Sequence, residues 1–576
     1  MPMQGRSPKL SFVASATVAA CGLAASASAQ SLPSSLDFVP TQAAGAIAVA
    51  NLGSAMADLQ AFAGAAQLPL GGGALEAVMG ELDGDAINGD GSAALFFLPG
   101  EREPQVVLLM PVDDYGAFVG ARGGVGAGVE EIEFAGEEVF VRRAGNGHAA
   151  ISDAGDLLDA WEPAGGNLAA HGAAAGARAA AAAGDADVII VGNLASLTAE
   201  WREGYEGVKQ MAAMFGGPEA AQGFAAIDPI ASAFLNDAGA GTIAIDFEAD
   251  GVTARVLSRF KEGSLLASLF NGGSNTDDLM AHLPKQDFGL ALAYDTSSPA
   301  FKSVVGLLAQ GLPQDNANLQ AGLELINNSS GAAFVMGAPT PQQLTIGAGM
   351  FVGSAAYFRG DDPAALRDSL ATATRAADGQ VQEQQGLVVT TTASYTENAR
   401  KIGDIDVDEW STMSSFQPAE GAGPEALQAA AQAQQVVGLM FGLSGPGGYV
   451  AQTEDGIVMT MARNSEMLSS AVASANAGGG LASDAELRAI SSKLPGNRAL
   501  ELYIDADQLL GAAQAFLGPV DPMPPIGFVA ASGSGTAEIA LHLPPAVIAK
   551  GVELGTLFGA MGPQFGGGGQ DDSIDF

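Results

Sequence analysis

The chain has 576 residues, with 64 acidic against 24 basic side chains, a formal charge of −40 and 78 glycines. That balance argues against a nucleic-acid partner, because binding phosphates needs a basic face. The length allows two or more domains with sizeable cores, and no apolar run after the leader reaches the length of a membrane span.

Residues 1–29 read as an export signal. Arg6 and Lys9 give a positive start, Leu10 to Ala25 is apolar and small, and Ala27-Ser28-Ala29 is a cleavage site before Gln30. Val18-Ala19-Ala20-Cys21 also fits a loose lipoprotein box, which would anchor the chain as a scaffold through Cys21. Cleavage before Gln30 is the preferred expectation. It places the protein in the periplasm or outside the cell, without a cysteine, since Cys21 is the only one. Losing Arg6 and Lys9 takes the charge from −40 to −42.

Only eight of the basic residues are lysine. An acidic, lysine-poor surface suits a salty medium, while a base-composition bias toward Ala, Gly, Asp and Arg would give the same counts. On the first reading folding is stabilised by salt, since the Debye length shrinks to about 3 Å at 1 M. The thermal midpoint should then rise from low to marine salt. A flat or falling midpoint would mean dispersed charge without adaptation.

Along the chain, a short phrase recurs: an apolar strand, an Asn or Asp, then a helix. Ala46–Ala50 leads through Asn51 to Met56, Leu59 and Phe62. Asp187–Gly192 leads through Asn193 to Leu197 and Trp201. Leu290–Tyr294 leads through Asp295 to Ser298-Pro299, and Leu500–Ile504 through Asp505 to Leu509 and Leu510. The polar residue can satisfy backbone donors at the helix start, and proline in the first turn loses no hydrogen bond.

Other landmarks come in pairs. Val106–Met110 precedes Asp113-Asp114-Tyr115, as Ala355–Phe358 precedes Asp361-Asp362-Pro363. His148–Ile151 precedes Asp156-Leu157-Leu158, as Val458–Met461 precedes Glu466-Met467-Leu468. Gly165–Ala169 matches Gly478–Ala482. A poor helix or linker at Ala173–Ala183 matches a better helix at Asp484–Lys493. Hairpins cross Asp250-Gly251 and Ser534-Gly535.

The same order twice predicts two homologous halves, 30–272 and 273–560, before a Gly-rich acidic tail at 561–576 expected to be disordered. The second half carries an insertion at about 378–448, with a linker near Gln417–Pro424 and a helix at Glu425–Phe441. That helix is expected to pack on the second sheet as part of the core. An interaction or lipid-facing surface is its other reading. The predicted class is α+β: two duplicated halves, each an antiparallel sheet with helices mainly on one face.

Leu283-Pro284 before a strand, Gly478 to Asp484, Leu494-Pro495 and the hairpin Phe528–Leu541 together resemble a family. It is that of uncharacterised exported bacterial proteins of the planctomycete type, a domain of unknown function. The resemblance covers most of the mature chain. It implies export and an α+β fold, and carries over no activity and no functional residue.

Motifs for chemistry are thin. His148, His171, His282 and His542 show no metal-ligand spacing. Gly533-Ser534-Gly535 is a turn and no nucleophile elbow, and Ser258–Lys261 spells S-x-x-K without its companion motifs. There is no phosphate loop. Asp113-Asp114 and Asp361-Asp362 could be read as paired catalytic carboxylates, but their place before helices favours capping. The one metal candidate is calcium at Asp83, Asp85, Asn88 and Asp90, oxygen-rich but without EF-hand spacing. No catalytic or cofactor residue is assigned. The functional expectation is an exported, non-catalytic protein with a binding or structural role in the envelope, its partner unknown. A small apolar ligand would sit in a cleft between the halves. The alternative is an exported hydrolase whose site is drawn from residues far apart in sequence.

Overall fold

A computed structural model describes residues 32–68, 86–98, 105–161 without 135 and 146, and 176–192 without 185, then isolated positions from 202 to 234. It further describes 236–310 without 274 and 277, 317–339, 343, 347–442 without 385, 445–511 and 521–553. The leader, Gly165–Ala169, His171, Asn193 with the helix expected after it, and the tail at 561–576 lie outside the described residues.

The first half supplies nine strands: β1 Gly45–Val49, β2 Ala93–Leu98, β3 Gln105–Pro111, β4 Glu130–Phe134, β5 Glu137–Arg143, β6 His148–Ser152, β7 Val188–Gly192, β8 Ala238–Glu248 and β9 Gly251–Phe260. The second supplies eleven: β10 Phe288–Tyr294, β11 Gly331–Gly337, β12 Ser354–Arg359, β13 Val381–Gln384, β14 Leu387–Ile402, β15 Ile405–Pro418, β16 Gly447–Gln452, β17 Gly456–Thr460, β18 Arg498–Ile504, β19 Ile526–Gly533 and β20 Thr536–Leu543.

All these strands pair antiparallel in one large sheet. From one end the order is β4-β5-β6-β3-β2-β1-β7-β8-β9. It then continues β20-β19-β18-β10-β11-β12-β17-β16-β15-β14-β13. The expectation of a separate sheet in each half is therefore corrected. β9 and β20 are the last strands of their halves and would each leave an open edge. They pair instead with each other, from Val252 opposite Leu543 to Arg259 opposite Thr536. Outward from that seam, the two arms meet their strands in the same chain order as far as β4 and β15. The segment 378–448 is thus only partly an addition: β15 lies beside β16 as β4 lies beside β5.

Among the described residues the α-helices are α1 Leu52–Ala65, α2 Tyr115–Gly120, α3 Gly155–Ala160, α4 Gly176–Gly184, α5 Leu265–Leu269, α6 Pro299–Gln310, α7 Ala317–Asn328, α8 Pro363–Ala376, α9 Pro424–Phe441, α10 Ser465–Ala477, α11 Ala485–Lys493 and α12 Ala506–Gly511. They cover both faces of the sheet, not mainly one. In the first arm α1 and α2 lie over Ile47, Leu95, Leu108 and Ile151. On the opposite face α3 and α4 lie over Ala48, Phe96, Leu109 and Ile189. In the second arm α10 and α11 cover Ala291, Val335 and Tyr503, and α8 covers Ala356, Val450 and Ile457 on the other side. The cause is visible in strands such as β6, whose residues are buried throughout. A strand buried on both sides needs a cover on each face.

The helix starts follow the expected chemistry. Asn51 Oδ1 accepts from Gly53 N and Ser54 N at the start of α1, whereas Asp295 Oδ1 accepts from Ser297 N and Ser298 N in the turn ahead of α6, and Ser298 Oγ accepts from Phe301 N at 3.3 Å inside that helix. Asp114 Oδ1 accepts from Ala117 N at 2.9 Å and Asp362 Oδ1 from Ala365 N at 3.0 Å. The second aspartate of each pair, Asp114 and Asp362, is the cap of α2 and of α8.

Candidate functional site

The two arms are joined at the seam by the β9–β20 ladder. Besides its ladder, each arm reaches across with a cation. From α4, Arg178 donates through Nε to Glu538 Oε2 at 2.9 Å and through Nη1 to the Ser532 carbonyl at 2.8 Å. From α11, Lys493 pairs with Glu248 and lies 3.2 Å from Asp250 Oδ2. His542, fully buried, bonds Thr253 Oγ1 at 2.9 Å through Nδ1.

The most buried charged cluster lies where α11 runs into β18. Arg498 Nε donates to the Pro495 carbonyl, and Nη2 to the carbonyls of Ser491 and Leu494. Its Nη1 donates to Ser491 Oγ, Glu501 Oε2 at 3.0 Å and Tyr503 Oη at 3.1 Å. Tyr503 donates in turn to Glu501 Oε2. Burial raises the Glu501 carboxyl above its usual range, opposed first by the Arg498 charge. Ser491, Arg498 and Glu501 border a cavity of about 280 Å³ with Met280, Ala482, Leu487 and Arg488. All three guanidinium nitrogens are engaged, mostly on carbonyls left over at the C-terminal end of α11. The cluster therefore works as a clamp on that corner, and a polar cavity this size has room for water.

Two carboxylate pairs sit elsewhere in the fold. Asp187 is 2% exposed and accepts from Phe247 N at 2.6 Å. Burial pushes its carboxyl up to about 9, with Asp246 and Asp58 adding to the shift. Burial likewise pushes Asp505 up to about 8, with Asp507 beside it. Asp187 lies ahead of β7 and Asp505 ahead of α12.

Of the calcium candidates, Asp83 and Asp85 lie outside the described residues. Asn88 Oδ1 accepts from Asp90 N at 3.0 Å, the bond of a tight polar turn. Among the described residues no group of three or more His, Cys, Asp or Glu side chains is placed to hold a metal ion.

The remaining candidate is a surface. Helix α9, with β13 and the neighbouring ends of β14 and β15, forms an addition to the second arm. The expectation that α9 is a core helix is corrected: only Ala430 is buried, while Leu427, Val436 and Leu439 are 64, 57 and 57% exposed. Its alanine side lies against β15, and Phe441 stacks on Phe351 at 4.9 Å. Val381 and Met413 are exposed in the same addition. Five of the ten large hydrophobic side chains exposed among the described residues thus lie between 381 and 439. The region is also poor in charge: residues 380–394 and 411–447 contain only Glu383, Glu420 and Glu425. The rest of the hairpin is dense in charge and tied to its surroundings. Arg367 meets Asp408 at 2.5 Å, Arg375 meets Glu397 at 2.7 Å and Arg463 meets Glu409 at 2.6 Å.

Compared with protein-family models, with curated proteins and with solved structures, the chain matches none. No helix among the described residues is long and apolar enough to cross a membrane.

Proposed function

We propose that this is an exported, non-catalytic contact protein of the cell envelope, built from two duplicated α+β halves and related to the planctomycete-type family it resembles. The shared strand order of the two arms and the matching caps at Asp114 and Asp362 support the duplication. The leader sequence supports export. The observation that carries the contact reading is the patch on the second arm: exposed apolar side chains gathered in a charge-poor region of a chain at −40. Exposed apolar side chains concentrated in a charge-poor region are the observation that points to an interaction site.

The single cysteine makes a direct test available. Cleavage before Gln30 removes Cys21, so Leu439→Cys would give one reactive thiol, and Val125→Cys, at an exposed turn, a control. In native envelopes a maleimide should label the control and spare position 439. Equal labelling at both would sink the contact reading.

A further inference from the structure

The two ends of the sheet differ in how they are finished. At one end β4 carries Glu130, Glu131 and Glu133, and the adjacent β5 begins with Glu137 and Glu138. Charges on an edge strand keep other strands from adding to it. At the opposite end β13 reads Val-Gln-Glu-Gln, with Glu383 its only charge. It pairs with β14 on one side, and among the described residues no strand covers its other side. The unguarded edge belongs to the same addition as the exposed apolar residues of α9.

From this juxtaposition we propose that two copies of the chain associate through the β13 edge and the exposed face of α9, about a two-fold axis. Charge selects this occupant. Two copies at −40 repel over most of their surface, and the addition is where they can approach with few acids facing each other. An antiparallel edge strand is complementary to its own copy under two-fold symmetry, so one surface serves both partners. Apolar side chains at Val381 and, on one flank of α9, at Val436 and Leu439 then lose water in the contact.

The inference rests on the contact reading and adds the partner's identity. It is tested on the purified mature chain by sedimentation velocity and light scattering, from sub-micromolar to hundred-micromolar protein, at low and high salt. The expected result is a mass of twice one chain, with tighter association at high salt because screening removes repulsion between the copies. Val381→Glu copies the guard of β4 onto β13, and Val436→Glu with Leu439→Glu charges α9. Each should weaken association at least roughly tenfold, a loss of about 1.4 kcal/mol, at an unchanged thermal midpoint. A monomer at every concentration would overturn the proposal, as would a dimer that ignores both sets of substitutions. If the purified chain is monomeric while position 439 stays protected in native envelopes, self-association falls and the contact reading stands. The occupant would then be another protein or a neutral lipid surface.

Discussion

Arg498→Ala is expected to destabilise the fold by about 3–5 kcal/mol, the range for removing one partner of a buried ion pair. The substitution leaves Glu501, 2% exposed, without its cation, and frees the carbonyls of Ser491, Leu494 and Pro495 at the end of α11. Glu501 can respond by taking up a proton, toward which burial already drives it. The loss should therefore be smaller in mild acid than above neutrality. Urea unfolding at two pH values, read as a midpoint shift at constant slope, measures it. Arg498→Met with Glu501→Leu should recover much of the loss, because no buried charge is then left unpaired. A loss under about 1 kcal/mol for Arg498→Ala would show that the clamp contributes little.

Stability should also fall from neutrality to about pH 9.5, where Asp187 and Asp505, raised to about 9 and about 8, give up protons in the folded state. An unfolded aspartate titrates near 3.9. The native state thus holds protons that the unfolded chain has released, and folding loses up to about 1.4 kcal/mol per pH unit for each such proton. The contribution is complete below the unfolded value and is gone once pH exceeds the folded one. In this window ordinary carboxylates are already ionised, while Glu501 and buried tyrosines such as Tyr503, also raised by burial, add to the fall, so the share of Asp187 is read from its substitution. Burial lowers the titration of His148 and His542, which act in the opposite sense. Their stabilisation is present above the unfolded histidine value, near 6.5, and is lost as pH falls through the folded one. Asp187→Asn can keep the bond from Phe247 N and needs no proton, so it should flatten the alkaline limb in a thermal scan. An unchanged limb would place the cause elsewhere.

Much of the local structure was legible in the residues. Asn51, Asp114 and Asp362 announce helix starts because a side-chain oxygen at that place satisfies backbone donors, while Asp295 closes a turn just ahead of its helix. Asp250-Gly251 and Ser534-Gly535 announce turns, and Ser534 and Gly535 do adopt positive φ, 53° and 71°. What escaped depends on distant partners. Nothing local in β9 or β20 says that the two strands will pair across the molecule. Ala46 and Ala48 alternate with Ile47 and Val49, all apolar, so the pattern does not show that both faces carry helices. In α9 the apolar spacing is real, but alanines take the inner side and Leu427, Val436 and Leu439 the outer. The Arg498 cluster was hidden by a register shift between Arg498 and Leu500 in the pairing with β19. Simple alternation sets Arg498 on the opposite face from Glu501 and Tyr503, and the shift returns it to theirs. The one available signal was two opposite charges three residues apart in an otherwise apolar strand.

The β9–β20 pairing also fixes an order of events during synthesis. β9 is complete at Phe260, but its partner begins only at Thr536, after the whole second arm has been made. Until then the first arm can assemble its other strands but waits with its longest hydrogen-bonding edge uncovered. A contact spanning so much sequence closes slowly, and an open edge is where a chain recruits wrong partners. The vulnerable period of this protein is thus the interval between finishing one hairpin and starting the other.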